Sequence, residues 1–165
     1  MFTEKGMGNM YPEHRDVMDN FIAMVRKSLK ASLCMAMREA KYMWPEDVKD
    51  GQQQYREPDI SILCGNRSRK KLAYTDVPRF VAEVLSQSTE EMDRGEKFHL
   101  YELIGVQEYW LVDWRQRRVE IFMLDDAGQK YELYDTISEK NKEELHIISF
   151  PHIQIDFDEL FDFER

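Results

Sequence analysis

Only two cysteines occur in the 165 residues, Cys34 and Cys64, far apart and each without a second cysteine nearby. Neither a disulfide framework nor a Cys-x-x-Cys zinc site is therefore expected, and both are read as reduced core residues. No apolar run approaches the roughly 20 residues needed to cross a bilayer, and the N-terminal stretch MFTEKGMGNMYPEH lacks the basic-then-apolar order of a signal peptide, so a cytoplasmic protein is expected. Internal repeats, low-complexity tracts and linkers rich in Pro, Gly or Ser are also missing. At this length a single domain over residues 1–165 is the simplest organisation, and it is long enough to bury a real core. Net positive charge is lacking too: 23 Lys and Arg stand against 32 Asp and Glu, giving −9. Such a chain repels a polyanion as a whole, so any nucleic-acid contact must run through a local basic patch. Two stretches qualify, Arg67, Arg69, Lys70 and Lys71, and Arg115, Arg117 and Arg118, although charged runs of this kind are ordinarily solvated loops.

What is present is a globular composition, 42% hydrophobic and 33% charged. From Pro12 to about Ala31, Met18, Ile22, Val25 and Leu29 recur at helical spacing, and Pro12 suits a first turn. LCMAMREAKYM fits strand or helix; a strand is preferred, because a polar loop with two prolines and a glycine follows. DISILC (59–64) and RFVAEVLS read as strands. A helix is expected next, with Ser88 and Glu91 as a capping box and Gly105 as its stop. EYWLVD, RVEIFML and KYELYDTI read as three strands, the last two joined as a hairpin through DDAG. HIQID is expected to be a short strand and FDELFDF a final helical turn. Strands mixed with two substantial helices give an α/β (α+β) domain built on one sheet.

Within FVAEVLS one glutamate, Glu83, interrupts an apolar run. Burying a carboxylate costs several kcal/mol or forces it to take a proton, so Glu83 needs a partner: a salt bridge, a helix N-terminus or a metal ion. Alternation along a strand puts Val81, Glu83 and Leu85 on one face and Phe80, Ala82 and Val84 on the other. Asp59 opens the neighbouring strand candidate, where strand pairing would bring it beside Glu83. Two close carboxylates repel unless one is protonated or a cation lies between them, and Mg2+ commonly takes one or two carboxylates while keeping several waters.

The helix that follows carries a second anomaly. Its buried stripe of Leu100, Tyr101 and Ile104, extended backwards by helical steps, reaches Lys97 and Asp93. Lys97 either snorkels to solvent or aims its ammonium at the carboxylates, with Asp93 four residues earlier to orient it. Asp, Glu and Lys converging at a sheet edge is the chemistry of metal-dependent phosphodiester hydrolysis, although paired charges at sheet edges are also often structural.

EPDISILC, followed by PRFVAEVLSQSTEEMDRGEKFHLYELIGVQEYWLVD, resembles the putative restriction endonuclease family of bacterial proteins, long labelled a domain of unknown function, within the PD-(D/E)XK nuclease superfamily. The family's run is similar: PD, a short strand, EVLSPST, a helix with D and K, then GV, EYW and VD. The likeness covers roughly residues 56 to 125, and FPHIQIDFDELF is similar to the family's C-terminal segment. The resemblance implies a restriction-endonuclease-like core, a central mixed sheet flanked by helices with a β-hairpin extension. It implies Asp59 and Glu83 as metal ligands, with the backbone carbonyl of Val84 as a further one. Where the superfamily has a lysine two residues after the glutamate, this chain has Leu85, and Lys97 is implied as the replacement. His14 stands where relatives often have histidine. The family usually begins with a longer segment bearing a tyrosine-glutamate pair, which this N-terminus does not show, so an additional acidic ligand is either missing or supplied by Glu13 or Glu39. Gln87 replaces a usual proline.

These readings give Mg2+, or Mn2+ in its place, as cofactor, DNA as partner with Arg67, Arg69, Lys70 and Lys71 as contacts, and a homodimer to cut both strands. The function expected is an Mg2+-dependent DNA endonuclease associated with restriction or mobile elements. The rival is a noncatalytic module that keeps the nuclease fold for binding or assembly, and the blandest alternative is a structural salt bridge.

Overall fold

Pro12 supplies the preset φ of a first helical position, and the computed structural model, which describes residues 11–164, has α1 at Pro12–Leu29. Val17, Met18, Phe21, Ile22, Val25 and Leu29 form its buried stripe. The ambiguous segment after it is a strand, β1 (Cys34–Arg38). Short paired strands β2 (Val48–Lys49) and β3 (Gln52–Gln53) follow, then β4 (Ile60–Cys64). A small hairpin of β5 (Arg69–Lys70) and β6 (Ala73–Tyr74) precedes β7 (Phe80–Val84). Helices α2 (Glu90–Arg94) and α3 (Glu96–Ile104) lead to β8 (Glu108–Asp113), β9 (Arg118–Leu124) and β10 (Tyr131–Ile137), and α4 (Phe157–Leu160) lies near the end.

Six strands form one mixed sheet in the order β1-β4-β7-β8-β9-β10. Every neighbouring pair is antiparallel except β7 with β8, which are parallel because the chain crosses over through α2 and α3. The alternation expected along β7 is observed. Phe80, Ala82 and Val84 join the core under α1, whereas Val81 and Leu85 join a second core with Tyr101 and Tyr109. Each large side chain buried this way contributes about 2 kcal/mol. Helices therefore flank both faces of a central mixed sheet, with β9 and β10 as the hairpin extension.

Four expectations need correction. The helix expected from Ser88 to Ile104 is split at Gly95, where a Cβ would meet the Glu91 carbonyl oxygen at 3.0 Å. Thr89 rather than Ser88 precedes α2, and it makes no capping bond. HIQID does not form a strand: only an isolated bridge joins His146 to Gln154. Cys34 and Cys64 are bonded to each other, because the antiparallel register of β1 and β4 sets them directly opposite, a pairing that 30 residues of separation conceal in the sequence. Tyr109 and Trp110 are core residues in opposite clusters. Among the described residues no helix is long and apolar enough to cross a membrane.

Candidate functional site

Asp59 precedes β4 and Glu83 is in β7. The last paired residues, Ile60 and Ala82, are one step inside them, so the two carboxylates stand opposite each other across the strands. Both are almost wholly buried, at 5% and 1% exposure. Their contacts fix them closely. The Asp59 N–H points at Glu83 Oε2 at 3.4 Å, and the Val84 N–H donates to Asp59 Oδ2 at 2.8 Å. Tyr101, one turn after Lys97 on α3, donates its hydroxyl to Glu83 Oε1 at 2.8 Å. Burial, reinforced by the Glu83 charge, holds the Tyr101 phenol well above its ordinary pKa, so it remains a donor.

Lys97 turns inward. Its Nζ lies 3.6 Å from Glu83 Oε2 and 3.0 Å from Asp93 Oδ1, with only 6% of the residue exposed. Its ammonium stands against the carboxylates, and the i, i+4 spacing from Asp93 places the anchor on the same helix face. Burial raises the Asp93 carboxyl to about 6 although Lys97 pulls it down. Thr89 Oγ1 donates to the other oxygen of Asp93 at 3.1 Å.

His14 reaches the same place from α1, on the other side of the sheet. Its Nε2 lies 3.4 Å from Asp59 Oδ2, and its buried Nδ1 has no hydrogen-bond partner. Glu39, in the positive-φ position that ends β1, meets Asp59 through the backbone, its N–H donating to the Asp59 carbonyl at 3.0 Å. Among the described residues, no three His, Cys, Asp or Glu side chains form a group able to hold a metal ion, so neither Glu13 nor Glu39 completes such a set. The tyrosine-glutamate segment sought before the first helix falls on residues outside those described.

The two basic stretches differ. Arg115 pairs with Glu90 and Asp113, and Arg117 with Glu139 and Asp158, so acidic neighbours offset two of the three charges of that stretch. Arg67 is half-buried, whereas Arg69, Lys70 and Lys71 are exposed along the β5–β6 hairpin, whose tip shows Leu72 at 86% exposure. Arg69 lies over the Tyr74 ring, 4.6 Å from its centroid. Sequence reasoning missed Tyr101, Ser86 and Thr89. Tyr101 was on the stripe that reached Lys97, and its position four residues after Lys97 was the available signal.

Beneath these residues, Arg56 links Asp47 at 2.7 Å to Glu96 at 2.8 Å, tying the loop before Asp59 to the start of α3. The paired, oxygen-rich carboxylates suit a hard divalent cation, which accepts few protein ligands and retains water. Leu85 donates its N–H toward Val112 on β8, and Val84 donates the opposite way, toward Asp59. Extended backbone carries a residue's N–H and C=O on the same side, so the Val84 carbonyl lies on the Asp59 side as well.

A crystal structure described as a putative nuclease belonging to DUF820, from Anabaena variabilis, superposes with a TM-score of 0.67 at 17% identity, covering 92% of this chain and 81% of that one. At that identity the likeness concerns the fold. A curated relative, "Uncharacterized protein slr1290" of Synechocystis sp., is 40% identical over 77 residues, 46% of this chain and 40% of that protein; the match thus spans about two fifths of the relative's length. The family model "Uma2: Putative restriction endonuclease" matches residues 5–158. With nearly the whole chain spanned by that model, the chain belongs to the Uma2 family, described as putative restriction endonuclease.

Proposed function

We propose that the protein is a divalent-metal-dependent endonuclease that hydrolyses phosphodiester bonds in DNA. The observation that carries this reading is the buried Asp59–Glu83 pair, opposed across two strands, with the Lys97 ammonium 3.6 Å from Glu83. Asp59, Glu83 and the backbone carbonyl of Val84 would hold Mg2+ or Mn2+. A bound ion of this kind makes a nucleophile of water near neutral pH and offsets charge on the phosphate.

The chain's own groups have separable parts in this scheme. Val84 N–H and His14 fix Asp59, and Tyr101 fixes one oxygen of Glu83. Lys97 replaces the lysine expected at position 85, orienting the attacking water or steadying charge on the phosphate from the helix side. Asp93 keeps that ammonium pointed inward. The β5–β6 hairpin, with Arg67, Arg69, Lys70 and Lys71, provides the local positive surface that an acidic chain needs against a polyanion. Cleavage of both strands requires two such sites, so a homodimer belongs to the same reading. A role in restriction or in mobile elements follows the family's description.

The test is incubation with supercoiled plasmid and with single-stranded DNA, in Mg2+, in Mn2+ and in EDTA, beside Asp59→Ala and Glu83→Ala. Metal-dependent nicking or linearisation by wild type alone is expected. Equal inactivity of all three, with no metal bound, sinks the enzyme reading and leaves the noncatalytic binding module.

A further inference from the structure

A buried line of polar side chains runs from the end of β7 to Lys97. Ser86 Oγ lies 2.7 Å from Thr89 Oγ1, Thr89 Oγ1 donates to Asp93 Oδ2 at 3.1 Å, and Lys97 Nζ donates to Asp93 Oδ1 at 3.0 Å. All four residues are buried. The Thr89 hydroxyl has one proton and gives it to Asp93, so it accepts from Ser86; the direction is Ser86 to Thr89 to Asp93, met from the other side by Lys97.

Thr89 precedes α2, where a threonine ordinarily turns its oxygen to a free helix N–H, yet it makes no such bond. Its hydroxyl serves Asp93 instead. Tyr109 adds a donor to the Asp93 backbone carbonyl at 2.8 Å, pinning the turn that carries the carboxylate.

We propose that Thr89, backed by Ser86, is a positioning residue for Lys97: by fixing one oxygen of Asp93 it keeps the other in place to hold the ammonium beside Glu83. This rests on the reading of Lys97 as a group that acts at the scissile phosphate. The surroundings explain why the hydroxyl is needed. Asp93 is faced by Asp59 at the β4 edge, by Tyr101 on α3 and by Tyr109 on β8, and Lys97, which also bridges to Glu83 on β7, is its counterion. Without the Thr89 donor, a carboxylate already short of compensating charge takes a proton more readily, and a neutral Asp93 releases Lys97.

The experiment compares Thr89→Val, which keeps the shape, with Thr89→Ser, which keeps the hydroxyl. Steady-state cleavage is measured across pH, and the Asp93 midpoint is followed separately by carboxyl 13C NMR. Thr89→Val is expected to lower kcat about tenfold or more with KM for DNA unchanged, as for a lost bond to a charged group. Its Asp93 midpoint and the acid limb of kcat should both move to higher pH, and Thr89→Ser should restore both. A Val variant with wild-type kcat and an unmoved midpoint overturns the proposal, as does a Ser variant as impaired as Val. Should Thr89→Val not fold, Ser86→Ala serves, with a smaller shift in the same direction expected and none overturning the proposal. Failure of wild type itself to cleave DNA sinks the nuclease reading and this proposal with it; cleavage by wild type with Val unaffected sinks this proposal alone.

Discussion

Asp59 and Glu83 face each other across β4 and β7, with the Asp59 N–H 3.4 Å from Glu83 Oε2. A cation that binds between such carboxylates stabilises the folded chain by mass action, about 2.7 kcal/mol at a hundred times its Kd. Mg2+ or Mn2+ at that level is expected to raise Tm by roughly 5–10 °C. Asp59→Ala and Glu83→Ala should each abolish the rise in a thermal scan; a rise that persists in both places the metal elsewhere.

Lys97 is the counterion of two buried carboxylates. Removing one partner of a buried ion pair leaves uncompensated charge and costs about 3–5 kcal/mol. Lys97→Met is expected to lose that much in urea unfolding at pH 7.5 and to stop cleavage while the metal-dependent rise in Tm remains. An equally stable Met variant would show that the ammonium is not needed where it lies.

Asp93 has a folded-state pKa of about 6, above its ordinary 3.8. The folded state therefore binds this proton more tightly than the unfolded one, so the associated stability is present below about 3.8 and is lost as pH rises through about 6. The gap corresponds to about 3 kcal/mol. Unfolding free energies of wild type and Asp93→Asn, measured from pH 7.5 to pH 4, should converge in slope only outside that window. Parallel curves throughout contradict the shift.

Lys70 ends β5 and Lys71 lies in the tip of the β5–β6 hairpin. On a Glu83→Ala background, expected to bind without cutting, Lys70→Ala and Lys71→Ala should each weaken duplex binding. Each should also lower the slope of log affinity against log salt by about one, with no change in sequence preference. Fluorescence anisotropy at several salt concentrations reads both. Unchanged slopes would move the phosphate contact to another surface.

The Cys34–Cys64 bond closes a loop of 30 residues. Constraint of the unfolded chain by a loop of that size is worth about 3–4 kcal/mol. The oxidised protein should lose that stability on reduction with dithiothreitol, and Cys34→Ser should show the lower stability with no response to the reductant. Intact mass under non-reducing conditions identifies the bonded form.

Much of this architecture was legible because its signals are local. The period of two in FVAEV set Glu83 on the face shared with Val81 and Leu85, and the 3.6-residue period of α3 put Lys97 on its buried stripe; the structure decides between solvent and the carboxylates for its ammonium. What escaped was decided by tertiary pairing. Nothing near Cys34 reveals that antiparallel register sets it against Cys64. The helix break falls at Gly95, where backbone φ −111° and ψ −95° leave the helical region, and no neighbouring residue type announces it. The helix start was read on Ser88, and only the position of Asp93 shows where the Thr89 hydroxyl goes. His14 was singled out by resemblance alone, since no periodicity tells which helix will cross behind Asp59.

The parallel step from β7 to β8 has a consequence for how the site assembles. Residues 83 to 97 contain Glu83, Ser86, Thr89, Asp93 and Lys97, so the end of β7 and the crossover helices that lead to β8 deliver the cation and its anchors from one short stretch of chain. Asp59 comes from 24 residues upstream and His14 from further still. Pairing of β4 with β7 is what brings like charges together, and the same short stretch that carries Glu83 also supplies the lysine that stands beside it.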